Sequence, residues 1–226
     1  MITVSVEEMR RLDAYTIEHL TSSRELMRRA AQGVYDALVT EKGPAEEWIG
    51  PRTAILCGSG NNAGDGYALA GILKRAGHDP VVYRTGEKCS EDGAYYLAEA
   101  EKIGVRIEAF SEETDLSEYD ILIDCLLGTG FKGEPRGMIR AAIKKINACE
   151  EAYVVCVDIN SGMDGDTGEG APVVKSDLTV SIGYLKQGMF RGRADELIGR
   201  LTNVDIGIIS PEEYEAAVSS EDSADN

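Results

Sequence analysis

The sequence predicts an α/β fold: a Rossmann-like, doubly wound, mostly parallel sheet with helices on both faces and two extra helices at the N-terminus. Three observations carry this. From Arg52 onward, short β-branched runs alternate with amphipathic stretches, the pattern of a parallel sheet whose two faces are both covered. A Gly-rich loop, GSGNNAGDG at 58–66, joins the first such run to the first such stretch. Hydrophobic residues at 43% and charged residues at 28% match a folded domain rather than a disordered chain.

Taken in order, the first forty residues read as two helices. Ser5 followed by Glu8 is a capping box, after which Met9, Leu12, Ile17 and Leu20 fall roughly on one face. Ser22 and Glu25 repeat the device ahead of Leu26, Met27, Ala30, Val34 and Leu38. The segment between Thr40 and Pro51 holds turn residues and a lone Trp, and is read as a connection. Strands are expected at 53–57, 80–84, 106–110, 121–124, 153–158 and 178–182, with a weaker one at 201–207, and helices at about 64–77, 90–103 and 137–148. The expected organisation is one domain over 1–210 followed by an acidic, partly disordered tail over 211–226.

At 226 residues the chain fits one domain, and its net charge of −17 repels phosphate backbones and anionic lipids. Neither nucleic acid nor a membrane is an expected partner. No apolar run reaches the ~18 residues a bilayer span needs, and the start lacks the basic flank and apolar stretch of a signal peptide. Five cysteines without a CxxC pair suit a reducing cytoplasm better than a disulfide framework.

The loop at 58–66 is the most informative stretch. Glycines let backbone amides approach a ligand, and the N-terminus of the helix that follows offers unpaired N–H groups to a phosphate. It is no P-loop, lacking Gly-Lys-Ser/Thr, and Gly58, Gly60 and Gly64 make an irregular dinucleotide fingerprint. Spacing alone is a weak signal, and a plain tight strand–helix turn is the alternative reading. Asn61, Asn62 and Asp65 tip the balance, since a turn has no need of three oxygen-bearing side chains at the carboxyl end of a strand, where α/β sheets bind ligands.

Two more strand ends repeat the theme. Asp124 precedes a loop containing Gly128 to Glu134, and Asp158 precedes Asn160, Ser161 and Gly162. One acid at a strand end is commonly a cap; three polar strand ends on one sheet edge suggest a site. Asn62, Asp124 and Ser161 supply hard oxygens with a single carboxylate, which suits a monovalent or weakly held hard cation better than zinc. A calcium loop at 158–169 is rejected because Met163 stands where Gly is required, and Asp164, Asp166 and Glu169 are read as solvated loop acids.

With GSGNNAGDG, IDCLLGTG and VDINSG in this order, and EEMRRLD and ELMRRA ahead of them, the chain resembles the NAD(P)H-hydrate epimerase family, the YjeF N-terminal domain, from its first helices to about Ile209. Departures from the family pattern are Ala63 for Gly, Cys125 for Ala and Asn160 for Pro. The resemblance implies an isomerase of nicotinamide nucleotide repair. It would interconvert the R and S forms of NADH or NADPH hydrated at carbon 6 of the nicotinamide ring and supply the S form to a separate dehydratase. It further implies that Asn61, Asn62, Ala63, Gly64, Asp65, Gly128, Thr129, Gly130, Phe131, Lys132, Gly133, Glu134 and Asp158 contact the hydrate. Asn62, Asp124 and Ser161 would bind potassium, and the protein would be a homodimer.

Asp158 is the candidate acid/base, because loss and readdition of the hydroxyl need only positioned proton transfer. Two rivals stand beside this: a non-catalytic nucleotide- or protein-binding module of the same fold, and an ordinary nicotinamide dehydrogenase in which Arg84 would favour a 2′-phosphate. The dehydrogenase lacks a Tyr-x-x-x-Lys pair, and His19 and His78 read as surface residues. Cys57, Cys125 and Cys156 are assigned to the core.

Overall fold

A computed structural model describes residues 2–42 and 52–224; Trp48 and most of the expected connection lie outside the described residues. At both predicted capping boxes the serine half forms. Ser5 Oγ accepts the Glu8 amide at 3.1 Å and Ser22 Oγ accepts the Glu25 amide at 3.2 Å, starting α1 (Val6–His19) and α2 (Ser23–Lys42). On α1 the inward face is Val6, Met9, Leu12 and Thr16, while Ile17 and Leu20 are exposed. Thr16 can be buried because its hydroxyl donates to Leu12 O and accepts the Ile209 amide.

Seven parallel strands form the sheet: β2 (Thr53–Cys57), β3 (Val81–Arg84), β4 (Arg106–Ala109), β5 (Ile121–Cys125), β6 (Tyr153–Val157), β7 (Ser176–Ile182) and β9 (Ile198–Val204), in the order β4-β3-β2-β5-β6-β7-β9. A separate parallel pair joins β1 (Thr3–Val4) to β8 (Leu185–Lys186). The helices between strands are α3 (Asn61–Arg75), α4 (Glu91–Lys102) and α5 (Gly137–Asn147), with a short α6 (Ala194–Leu197) before β9.

The central strands explain their own uniform hydrophobicity. Ile55 and Cys57 of β2 join Ile121 and Ile123 of β5 and Val155 and Val157 of β6 in a core under α2 and α3. The alternate residues Ala54, Leu56, Leu122, Val154 and Cys156 face Ala142, Ile143 and Ile146 of α5. Each fully buried aliphatic side chain contributes about 1.5–3 kcal/mol, so both faces of the sheet are anchored by the same strands.

Chain order reverses between β2 and β5, and the crevice at such a switch point is where this architecture binds ligands. Gly66 permits α3 to lie against the sheet there, since a Cβ on it would sit 2.8 Å from Cys57 Sγ and 2.9 Å from Cys125 Cβ.

Three expectations are corrected. The segment from 211, expected as an acidic tail, forms α7 (Pro211–Ala224). Its start is a reciprocal box in which Ser210 Oγ accepts the Glu213 amide and Glu213 accepts from Ser210, and Tyr214 packs edge-on against Tyr15 with centroids 5.4 Å apart. His78 is buried, 5% exposed, rather than a surface residue. Asp164 and Asp166 are structural: Asp164 accepts the Asp166 and Thr167 amides, and Asp166 accepts the Val6 amide at the head of α1.

Candidate active site

Three loops from the carboxyl ends of β2, β5 and β6 meet beside α1 and α2 and line an open cavity of ≈ 490 Å³, a volume in the ordinary range for small-molecule sites. Contact between the first two loops is close enough to demand Gly58, where a Cβ would sit 2.0 Å from Leu126 O. The head of α3 has no side-chain cap, and Gly60, Asn61 and Asn62 at that helix start line the cavity, where a helix N-terminus suits an anion.

Of the expected ligand residues, Asn61, Asn62, Asp65, Gly128, Thr129, Gly130, Phe131 and Asp158 line this cavity. Ala63 and Gly64 do not. They are buried in the first turn of α3, where a Cβ on Gly64 would meet Met27 at 2.5 Å. Lys132, Gly133 and Glu134 follow Phe131 onto the exposed surface, outside the cavity lining.

Asp158 lies at the heart of the site. It is the one residue other than glycine with a positive φ, 69°, among the described residues, a conformation that costs of order 1–3 kcal/mol and persists only where the surroundings impose it. Lys186 Nζ donates to Asp158 Oδ1, and the Thr129 amide and hydroxyl each donate to Oδ2 at 3.1 Å. Burial alone would push this carboxyl up. The charge and hydrogen bond of Lys186, with the two bonds from Thr129, outweigh it and hold Asp158 below its usual value, ionised. The Lys186 side chain is 1% exposed and also donates to Ile182 O and Ser181 Oγ.

Neither Lys186 nor the α1 residues Arg10 and Asp13, which also line the cavity, emerged from the sequence. Lys186 follows the strand end at Ile182 by four residues, and a lysine so placed was the available signal. Its position is set by β8 pairing with β1, a long-range contact invisible in the local pattern. Arg10 donates to Gly130 O at 3.1 Å and ties α1 to the second loop.

Asn62, Asp124 and Ser161 converge as expected. Fully buried Asp124 accepts the Ser161 hydroxyl at 2.6 Å and the Leu126 amide at 3.1 Å on one oxygen, and the Ser161 amide at 2.9 Å on the other. Asn62 Nδ2 donates to Leu127 O at 3.0 Å, and the Leu127 amide donates to Ser161 Oγ at 2.8 Å. Asn62 Oδ1 is buried with no hydrogen-bond partner among the described residues. A buried carbonyl oxygen left unpaired costs about 1–3 kcal/mol. Set beside a carboxylate and a serine hydroxyl, it fits a hard monovalent cation.

Asn160, where the family pattern has Pro, is fully buried. Its amide donates to Val174 O, Ser176 Oγ and Leu197 O and accepts from Thr179, fastening the third loop to β7.

The family model described as YjeF-related protein N-terminus matches residues 23–188. The chain belongs to this family. Among relatives of this YjeF-related chain, an NAD(P)H-hydrate epimerase of Limosilactobacillus fermentum is 31% identical over 204 residues, 89% of this chain and 95% of that one. A bifunctional NAD(P)H-hydrate repair enzyme of Archaeoglobus fulgidus is 35% identical over 94% of this chain and 42% of its own. The crystal structure of yeast YNL200c superposes with a TM-score of 0.76 at 22% identity, covering 90% of this chain and 87% of that one, which shows the shared fold.

Proposed function

We propose that this chain is an isomerase that interconverts the R and S epimers of NADH and NADPH hydrated at carbon 6 of the nicotinamide ring. Relatives named as NAD(P)H-hydrate epimerases span nearly its whole length. The observation that carries the reading is one cavity in which the uncapped head of α3, the Gly128–Phe131 loop and the Asp158–Lys186 pair all meet.

The chemistry asks little more than that cavity offers. In the hydrate a hydroxyl stands beside the ring nitrogen, whose electron pair can expel it. A planar cation results, and water returning to the opposite face inverts the centre. Asp158, ionised, is suited to take the proton of the incoming water and to face the positive ring. Lys186 and Thr129 fix that carboxylate in place. Positioned proton transfer contributes ~10²–10⁴-fold in rate. The amides at the head of α3 suit the pyrophosphate of an anionic substrate, which a chain of net charge −17 must hold by local dipoles.

Asn62, Asp124 and Ser161 would hold a potassium ion, which when bound ties the first loop to the other two and offsets substrate charge. Five free cysteines support a cytoplasmic setting. The product would feed a dehydratase specific for the S form, a coupling supported by relatives named bifunctional NAD(P)H-hydrate repair enzymes. The working assembly in this reading is a homodimer, which sedimentation would show at twice 24.4 kDa.

A coupled assay tests the reading. An S-specific dehydratase acting on mixed hydrates stalls when the S form is exhausted, and added chain should restore full consumption. A persistent stall would contradict the proposal.

A further inference from the structure

Resting on that reading, we propose that Asp65 is the catalytic acid that protonates the departing hydroxyl, with Asp13 of α1 as the residue that tunes it. Three carboxylates line the cavity, Asp13 from α1, Asp65 from α3 and Asp158 after β6, against one buried lysine. Lys186 is committed to Asp158, as are both donors of Thr129. Arg10, the other cation of the lining, donates to Gly130 O. Neither Asp13 nor Asp65 has a side-chain hydrogen bond to a described residue. The cavity therefore holds two carboxyl groups with no ion pair or side-chain hydrogen bond of their own among the described residues, beside an ionised third, and a proton is the charge that relieves them.

Of the two, Asp65 is the proton holder. Burial pushes it well up, the charges of Asp158 and Asp13 add to this, and Lys186 opposes only in part. Asp13 is raised as well, by burial and then by Asp158. The remaining titratable neighbours of Asp65, the thiols of Cys57 and Cys125, are kept protonated by burial and carry no charge.

This supplies what Asp158 cannot. A carboxylate held ionised accepts a proton but has none to give. In the proposed cycle Asp65 transfers its proton to the hydroxyl oxygen, the C–O bond breaks with its electron pair leaving on water, and the ring nitrogen's pair forms C=N. Water then bonds to the opposite face, the C=N π pair returns to nitrogen, and the released proton goes to Asp158. One proton has crossed the ring, from Asp65 to Asp158, and exchange with solvent resets the pair. The other epimer runs the same path backwards, with Asp158 as acid and Asp65 as base, as microscopic reversibility requires.

The test is steady-state kinetics on R-enriched NADH hydrate, with NADPH binding and thermal midpoints measured alongside. Expected for Asp65→Asn is a fall in kcat of at least about 10²-fold with KM and NADPH affinity kept, and for Asp65→Glu a recovery over Asn. Asp13→Asn should move the alkaline limb of the kcat/KM profile to lower pH, because removing its negative charge lets Asp65 ionise sooner, while acidic activity survives. An Asp65→Asn protein that keeps its kcat, or loses only KM, overturns the assignment, as does an Asp13→Asn profile with an unmoved limb. Inactive wild-type protein would instead overturn the epimerase reading itself, and the assignment with it.

Discussion

Lys186 and Asp158 form an ion pair whose lysine is 1% exposed and whose aspartate adopts a left-handed backbone. The partners come from separate strands: Asp158 follows β6, while Lys186 ends β8 and is fixed there by pairing with Val4 at the far end of the chain. The pair makes Asp158 an anion in the lining of the cavity, and most of the site's chemistry follows from that.

Asp158→Asn should therefore lower epimerisation by ~10²–10⁴-fold while the protein still binds NADPH. Rate and equilibrium binding on the same preparation check it; unchanged turnover removes Asp158 from proton transfer.

Lys186→Met leaves a buried carboxylate without its cation, a change that typically costs about 3–5 kcal/mol. The folded pKa of Asp158 is depressed, so the pair's stabilisation is present above the unfolded value near 3.9 and fades as pH falls through the folded one. Urea unfolding should show a wild-type advantage at pH 7 that shrinks below about pH 4. An advantage independent of pH would mean that the loss is one of packing.

The sign is opposite at Asp65. Its folded pKa is raised, so above about pH 4, where the unfolded chain ionises, the carboxyl costs stability. Asp65→Asn should melt higher than wild type at pH 7, and the two should converge toward pH 4. A lower midpoint at pH 7 would show that the charged form is paired.

Asn62→Leu removes the unpartnered Oδ1 and keeps the side-chain volume roughly constant. Potassium should raise the wild-type midpoint and rate relative to choline, and Asn62→Leu should abolish both effects without unfolding the chain. A variant that still responds to potassium would place the cation elsewhere.

Gly58→Ala tests the junction of the first two loops. A Cβ there would sit 2.0 Å from Leu126 O, and backbone cannot yield as a flexible side chain can. Overpacking typically costs about 1–3 kcal/mol, and here it would fall on two loops that shape the cavity. Both midpoint and kcat should drop.

Much of this was legible in the sequence because it is local. Alternating buried runs mark out β2, β5 and β6, capping boxes mark the starts of α1 and α2, and Asn62, Asp124 and Ser161 stand at strand ends that a parallel sheet brings to one edge. What was not legible depends on contacts distant in the chain. Lys186 is oriented by β1, and Arg10 and Asp13 face the cavity only because α1 folds back over it. Lys132 to Glu134 continue a motif in sequence but turn outward after Phe131. The helix at Pro211 begins with the same Ser-x-x-Glu spacing as the two at the N-terminus, yet its acidic composition masked it.

The central claim is that this cavity inverts carbon 6 of hydrated nicotinamide, and chromatographic separation of the epimers tests it most directly. Purified chain incubated with R-enriched NADH hydrate in potassium buffer should speed the appearance of the S form well beyond the uncatalysed rate, and Asp158→Asn should not. Equal rates with and without the wild-type chain, with NADPH still bound, would contradict the account and leave the cavity a binding site alone.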